Sequence, residues 1–286
     1  MVTMTIPLRN AFRAAIRGER ARSRTGVARI QCRRTITARS AGESAGLALR
    51  FPGRRRAIGG TLELSIEAAS DDTGVALSVD GVAALTARWR TERNHSVELL
   101  PNIERLLGEA GRTKRDIDAV FVDIGPGGYA GLRVGVSIAK ALAHGLGVPI
   151  AGIGRLELDA HGVAAEAAGR RIVAVHAAGR GEAAWAAYSD AGGWHEESAP
   201  IISRREVLHT AIGAGDAVTG DIDDELADVI QRAGAVTLSA HRHRVVELAE
   251  LGRARLAAGR ADDATTLVPL YLRAPAIGPQ GAGTER

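Results

Sequence analysis

Residues 125–135 read GPGGYAGLRVG, five glycines in eleven positions with a helical pattern directly behind them. Glycine collects where a backbone turns sharply or approaches something closely. Two uses fit this stretch. Backbone N–H groups that converge at a helix N-terminus, where the dipole is positive, cradle an anion. Gly125, Gly127, Gly128 and Gly131 permit that shape, and Arg133 in the first helical turn adds a cation for a phosphate or a partner's carboxylate. Alternatively, the glycines let the helix pack tightly against its neighbours. No GxxxxGK[ST] phosphate loop occurs in the chain.

Other chemistry assembles poorly. Ser137 lies inside a helical pattern, and no GxSxG elbow exists. The single cysteine, Cys32, falls in an Arg-rich first segment, excludes an intramolecular disulfide or Cys-rich zinc site, and fits a reducing compartment. His161 reads as an exposed helix histidine, and the run from Arg242 to Arg244 as a solvated basic helix face. His95 suits a helix-capping or packing role.

The elements that must position these residues follow from periodicity. TLELSIEAA and GVALSVDG read as strands joined by SDDT, and VAALTARWR as a third. NHSVELLPNIERLLGEAG repeats apolar residues at Leu99, Ile103, Leu106 and Ala110, a helical period with Asn94 or Ser96 as cap, Pro101 early and Gly111 as stop. AVFVDIG is a buried strand before the glycine loop, with a helix from about Leu132 to Leu146 and VPIAGI as the next strand. RRIVAVHAA and EAAWAAYSD alternate as an antiparallel pair, DAVTGDI is short and strand-like, and DDELADVIQRAG and HRHRVVELAELGRARLAAG are helical.

The helix after the loop carries small residues at Gly131, Gly135, Ala139 and Ala143, and branched ones at Leu132, Val134, Val136, Ile138 and Leu146. A helix with two apolar faces needs two partners. The branched face suffices for a core, so the small-residue stripe is expected to admit a second helix at short range.

Composition sets bounds. The chain has 286 residues, 45% apolar but only 3% aromatic, so its core is aliphatic and base-stacking platforms are scarce. Its net charge is +4. Residues 1–59 hold fourteen Arg, no Lys, and only Glu19 and Glu43 as acids, a net +12; the remainder therefore carries −8, which does not favour nucleic-acid binding. The basic leader lacks an apolar period and is expected to be disordered. It reads as translation from upstream of the natural start, as an RNA-touching tail, as a transit peptide, or, least simply, as a folded segment. No membrane span is expected.

Hairpin, third strand, helix, strand, glycine loop and helix is the order of the actin-like ATPase and sugar-kinase lobe. NHSVELLPNIERLL, DIGPGGYAGLRVGVSIAKALAHGLGVPIAGIGRLELDA, RGEAAWAAY and PLYLR, in that order from about Leu62 to Arg273, resemble the TsaB (YeaZ) family of tRNA threonylcarbamoyladenosine biosynthesis. That family usually has GPGSFTGxRxG, then GxxxLE. Three departures stand out. Glu67 in IEAAS replaces the acid of IDTS or IDTA, Gly128, Tyr129 and Ala130 replace Ser, Phe and Thr, and HAAG replaces the DAR before RGE.

The resemblance implies an α/β, degenerate actin-like (ASKHA) fold: a leader at 1–59, lobes at 60–161 and 162–275, and a tail at 276–286. It implies a cytoplasmic, non-catalytic scaffold that binds and activates a TsaD-type transferase, with a TsaE-type ATPase joining, tRNA contacted indirectly, and a homodimer as a further assembly. The paralogous TsaD family holds its metal through HxxxH; the corresponding positions here are Arg155 and Asp159, so no metal or cofactor of its own is expected. ATP or ADP near the interface would touch Glu67, Gly125, Gly127, Gly128, Gly131 and Arg133. His95, Leu99, Leu132, Gly135, Ala139 and Ala143 are the expected partner interface. The alternative is an active enzyme of the same superfold, a small-molecule kinase or a carbamoyl- or acyl-transferase.

Overall fold

The computed structural model describes residues 60–91, 94–239 and 243–272; the leader and the tail lie outside the described residues. The chain order is β1 (Leu62–Glu67), β2 (Asp72–Val79), β3 (Val82–Arg90), α1 (His95–Glu109), β4 (Ala119–Gly125), α2 (Tyr129–Leu146), β5 (Ile150–Gly154) and α3 (Arg155–Ala167). The same series follows again: β6 (Ile172–Gly179), β7 (Glu182–Ser189), β8 (His195–Arg204), α4 (Arg205–Ala211), β9 (Ala217–Gly220), α5 (Asp224–Ala233), β10 (Val236–Thr237) and α6 (Arg244–Ala257).

The two halves are topological copies. The first sheet runs β3-β2-β1-β4-β5 and the second β8-β7-β6-β9-β10. In each, the first three strands form an antiparallel meander, and the last two are parallel to the first. Every residue of β1 is buried, which a central strand covered on both faces requires. Its Glu63 is tolerated because Oε2 accepts from Ser78 Oγ at 2.6 Å and from the Gly81 N–H at 3.0 Å.

Local signals hold well. Asn94 is the N-cap position of α1 and Pro101 sits inside that helix. Asp223 caps α5 by accepting the Leu226 N–H at 3.1 Å, and Gly234 ends it in the left-handed region. Helix α2 starts at Tyr129, three residues ahead of the expected Leu132, because Gly128 already takes the N-cap place.

Two features differ from the sequence reading. Strand β8 was not expected: it is an edge strand, paired only with β7 and mostly exposed, so HEESAPIISR shows no burial pattern. The lobe boundary is also not a single cut. Helix α3 packs mainly on β6, β7 and β9 of the second sheet while also touching β4 and β5 of the first, whereas α6 returns to all five strands of the first. Phe121 of β4 lies so close to Gly252 of α6 that any Cβ there would run into its ring. Residues after α6 also return: the Asp262 N–H donates to Ile150 O at 2.8 Å and the Leu270 N–H to Ile124 O at 2.7 Å.

Candidate functional site

The glycine loop leaves β4 and folds onto the end of β1. Gly125 has φ +98°, which a side chain rarely adopts. A Cβ on Gly127 would strike Ala69 O, and one on Gly131 would strike Ala68 O. The Gly128 N–H donates to Ala69 O at 2.7 Å. Backbone carbonyls of Ala68 and Ala69 therefore occupy the concave side of the loop. Those oxygens repel an anion, and one of the amides that would hold it is already used.

Two acids brace this junction from below. Glu67 Oε1 accepts the Ala69 N–H at 3.1 Å, and Asp123 Oδ1 accepts the Gly125 N–H at 2.7 Å. Both side chains are fully buried, and Glu67 Oε2 and Asp123 Oδ2 accept no hydrogen bond. Burial pushes Glu67 up to about 8, with the Asp123 charge adding to the rise. Burial likewise raises Asp123, to about 6, against the opposing Gly125 hydrogen bond and the Arg244 charge.

Behind them runs an ion-pair chain between the lobes. Arg155 pairs with Asp159 one turn on (3.6 Å) and with Asp221 (3.2 Å); Arg244 Nε donates to Asp159 Oδ1 at 2.6 Å. His176 Nδ1 lies 2.6 Å from Asp221 Oδ2. Burial opposes ionisation of Asp221, yet the His176 hydrogen bond and the Arg155 charge hold its carboxyl well below the usual range. Arg155 and Asp159 thus form a buried pair with each other.

The HRHR segment departs from its expected solvated face. His241 and Arg242 lie outside the described residues. His243 is the N-cap of α6, its side chain only 5% exposed: Nδ1 accepts the Val245 N–H at 3.2 Å, and Nε2 reaches Asp72 O at 3.2 Å. Arg244 turns inward to Asp159. Tertiary acids, not the local run of bases, set both orientations. His161 is also no free surface histidine; its Nδ1 sits 2.6 Å from Glu247 Oε2 and its ring meets Trp194 edge-on. His95 packs, as expected, with Nε2 3.4 Å from Ser70 O.

The expected interface stripe is overturned. Gly131, Gly135, Ala139 and Ala143 face the protein's own interior, with Leu132 and Val136 beside them. A Cβ on Gly131 would also press on His95 Nε2 at 2.8 Å, and one on Gly135 on Ala68 Cβ at 3.2 Å. Small residues lie inward because β1 and α1 come closest there. Leu99 and His95 are buried too, so all six expected interface residues belong to the monomer's packing. What faces outward is the other apolar side: Val134, Ile138 and Leu142 are half-exposed, with Ala130, Ser137 and Ala141 open between them. Helix α1 packs beside α2 and exposes Val97 (66%) and Leu100 (41%). Tyr129 is 40% exposed, and Arg133 lies over its ring at 4.0 Å while donating to Tyr271 Oη at 3.1 Å.

Two lobes of repeated topology, joined through α3 and closed over a glycine loop, define a degenerate actin-like fold. The family model of TsaD, the tRNA N6-adenosine threonylcarbamoyltransferase, matches residues 89–201. The tRNA threonylcarbamoyladenosine biosynthesis protein TsaB of Escherichia coli is 28% identical over 223 residues, covering 73% of this chain and 94% of that protein. The uncharacterized protein Rv3421c of Mycobacterium tuberculosis is 34% identical over 186 residues, covering 64% of this chain and 77% of its own length. The structure of YeaZ from Pseudomonas aeruginosa superposes with a TM-score of 0.61 at 24% identity, over 74% of this chain and all of that one. The chain belongs to the TsaB (YeaZ) family, which acts in threonylcarbamoyladenosine biosynthesis. No helix among the described residues is long and apolar enough to cross a membrane.

Proposed function

We propose that the chain is a non-catalytic, cytoplasmic scaffold of tRNA threonylcarbamoyladenosine synthesis, and that it binds a TsaD-type transferase through the outer surface of α1 and α2. One observation carries this reading: Val97, Leu100, Val134, Ile138 and Leu142 remain uncovered or half-covered on two adjacent helices whose inner faces are already packed. Branched apolar side chains in such an arrangement gain by burial against a partner helix pair. Tyr129 and Arg133 lie at the start of α2 and supply the residue types enriched at binding hot spots.

The transferase contributes the metal and the reacting groups, since here Arg155 is held by Asp221 and Asp159 by Arg244. A TsaE-type ATPase joins the assembly, and tRNA meets it through the partner. Arg133 is this chain's cationic contact for a partner carboxylate or an adenine nucleotide at the seam; the loop glycines serve packing. A kinase reading is disfavoured, because the Ala68 and Ala69 carbonyls line the concave side of the loop that would have to cradle a phosphate.

The test uses exposed positions. Val97→Arg and Ser137→Arg should each weaken titrated association with the TsaD-type partner at least a hundredfold, with melting unchanged. Full-strength binding by both variants would remove this surface from the interface. Association of the chain only with itself, lost in the same variants, would replace the heterodimer with a homodimer.

A further inference from the structure

The seam between α3 and α6 brings together three side chains that no local spacing connects. His161 comes from α3; Glu247 and Glu250 come from α6, one turn apart. One ligand-type atom from each lies within 4.8 Å of the others. His161 Nδ1 and Glu247 Oε2 are already 2.6 Å apart across 86 residues of sequence. Glu247 is 2% exposed, while His161 at 23% leaves a path from solvent.

The imidazole is held in place. Trp194 meets it edge-on, with centroids 5.1 Å apart and planes at 90°. Trp194 is in turn stacked on Tyr188 at 5.5 Å and donates to Glu157 Oε1 at 3.3 Å. A ligand whose ring plane is fixed by its surroundings loses little freedom on coordination.

We propose that His161, Glu247 and Glu250 bind a divalent transition-metal ion of the zinc type, which clamps α3 to α6. The donor set is one imidazole nitrogen and two carboxylate oxygens, which suits zinc better than magnesium or calcium. Zinc bonds of roughly 2.0–2.2 Å give tetrahedral edges of about 3.3–3.6 Å. His161 Nδ1 and Glu247 Oε2 stand closer than such an edge and the three ligand atoms all lie within 4.8 Å of one another, so side-chain adjustment would close the site. With neutral imidazole the set carries two negative charges, which a dication cancels. The HxxxH positions play no part in it; the residues come from the crossing of two helices. Since α3 packs on the second sheet and α6 on the first, the ion would pin one lobe to the other.

The experiment takes the full chain, stripped with chelator and titrated with Zn²⁺ by calorimetry and thermal melting. One saturable ion per chain, accompanied by a rise in melting temperature at saturation, is expected. Glu247 is buried, so its replacement could unfold the protein; His161→Gln and Glu250→Gln, on half-exposed positions, carry the test. Each should weaken binding at least tenfold, and each metal-free variant should remain folded, with a cooperative melt. No saturable zinc, or zinc bound equally well by both variants, would overturn the site. Binding to the TsaD-type partner is measured separately through α1 and α2, so failure of either proposal leaves the other standing.

Discussion

Glu67 and Asp123 sit a strand apart in a dry junction, and their protons should report on the fold. Burial raises Glu67 from 4.5 to about 8 and Asp123 from 3.8 to about 6. The native state therefore holds these protons at pH values where the unfolded chain has released them. Stability is fully present below the unfolded values and is lost as pH rises through the folded ones. Melting temperature should fall between pH 5 and 8. Glu67→Gln keeps the Oε1 acceptor for the Ala69 N–H but cannot ionise, so its melting curve should flatten and exceed the parent's above pH 8. Parallel pH profiles for the two proteins would show that Glu67 does not titrate in this range. At this scale the sequence was legible where residue type decides: Arg155 and Asp159 stand where the resembled TsaD family carries HxxxH. It was silent about what they do instead. The tertiary partners of Asp159, His161 and His243, namely Arg244, Glu247 and Asp72, lie 85, 86 and 171 residues away, beyond any local pattern.

Helix α2 shows why amphipathic patterns can mislead. Its small face and its branched face are both apolar, and periodicity does not say which turns inward. Distance decides: where the helix approaches β1 and His95 closely, only glycine and alanine fit; Leu132 and Val136 flank them inside, and Val134, Ile138 and Leu142 are left half-exposed. Gly131→Val would drive a side chain into Ala68 O and should cost at least about 2 kcal/mol. Gly128→Ala meets nothing nearer than 3.6 Å at φ −61° and should lie within about 0.5 kcal/mol of the parent. Ala139→Arg would bury an unpaired charge and should unfold the monomer, in contrast with Ser137→Arg two residues earlier. Chemical denaturation would rank the three; equal costs at Gly128 and Gly131 would mean the loop is not sterically closed. The strands and most helices were legible because their cores are aliphatic runs with clear caps. Edge strand β8 was not, since a strand half in water has little apolar signature.

Across the whole molecule, the charge asymmetry and the repeat argue for separate roles. A chain starting at Gly60 should melt with the full protein, because the expected source of stability is the pair of sheets; a drop of several degrees, roughly 1 kcal/mol or more, would assign the leader a structural part. The two topological copies, in contrast, are bound by exchange: each lends its last helix to the other's sheet. That exchange constrains the order in which the protein can be made. Most multi-lobed chains fold from the N-terminus as they leave the ribosome. Here the apolar patch of Ala119, Phe121, Ala151 and Ile153 receives Leu248 and Leu251 only from α6. While residues 155–243 are being synthesised, that patch has only Leu158 and the partly buried Trp194 of the same cluster to cover it, and the nascent first lobe remains an unfinished, sticky intermediate. A fragment ending at residue 239 should bind a hydrophobic dye and aggregate, whereas the chain to residue 272 should not. The first half of this protein is thus completed by α6, which is translated only after the whole second sheet, and during elongation it is a natural client for a ribosome-bound chaperone.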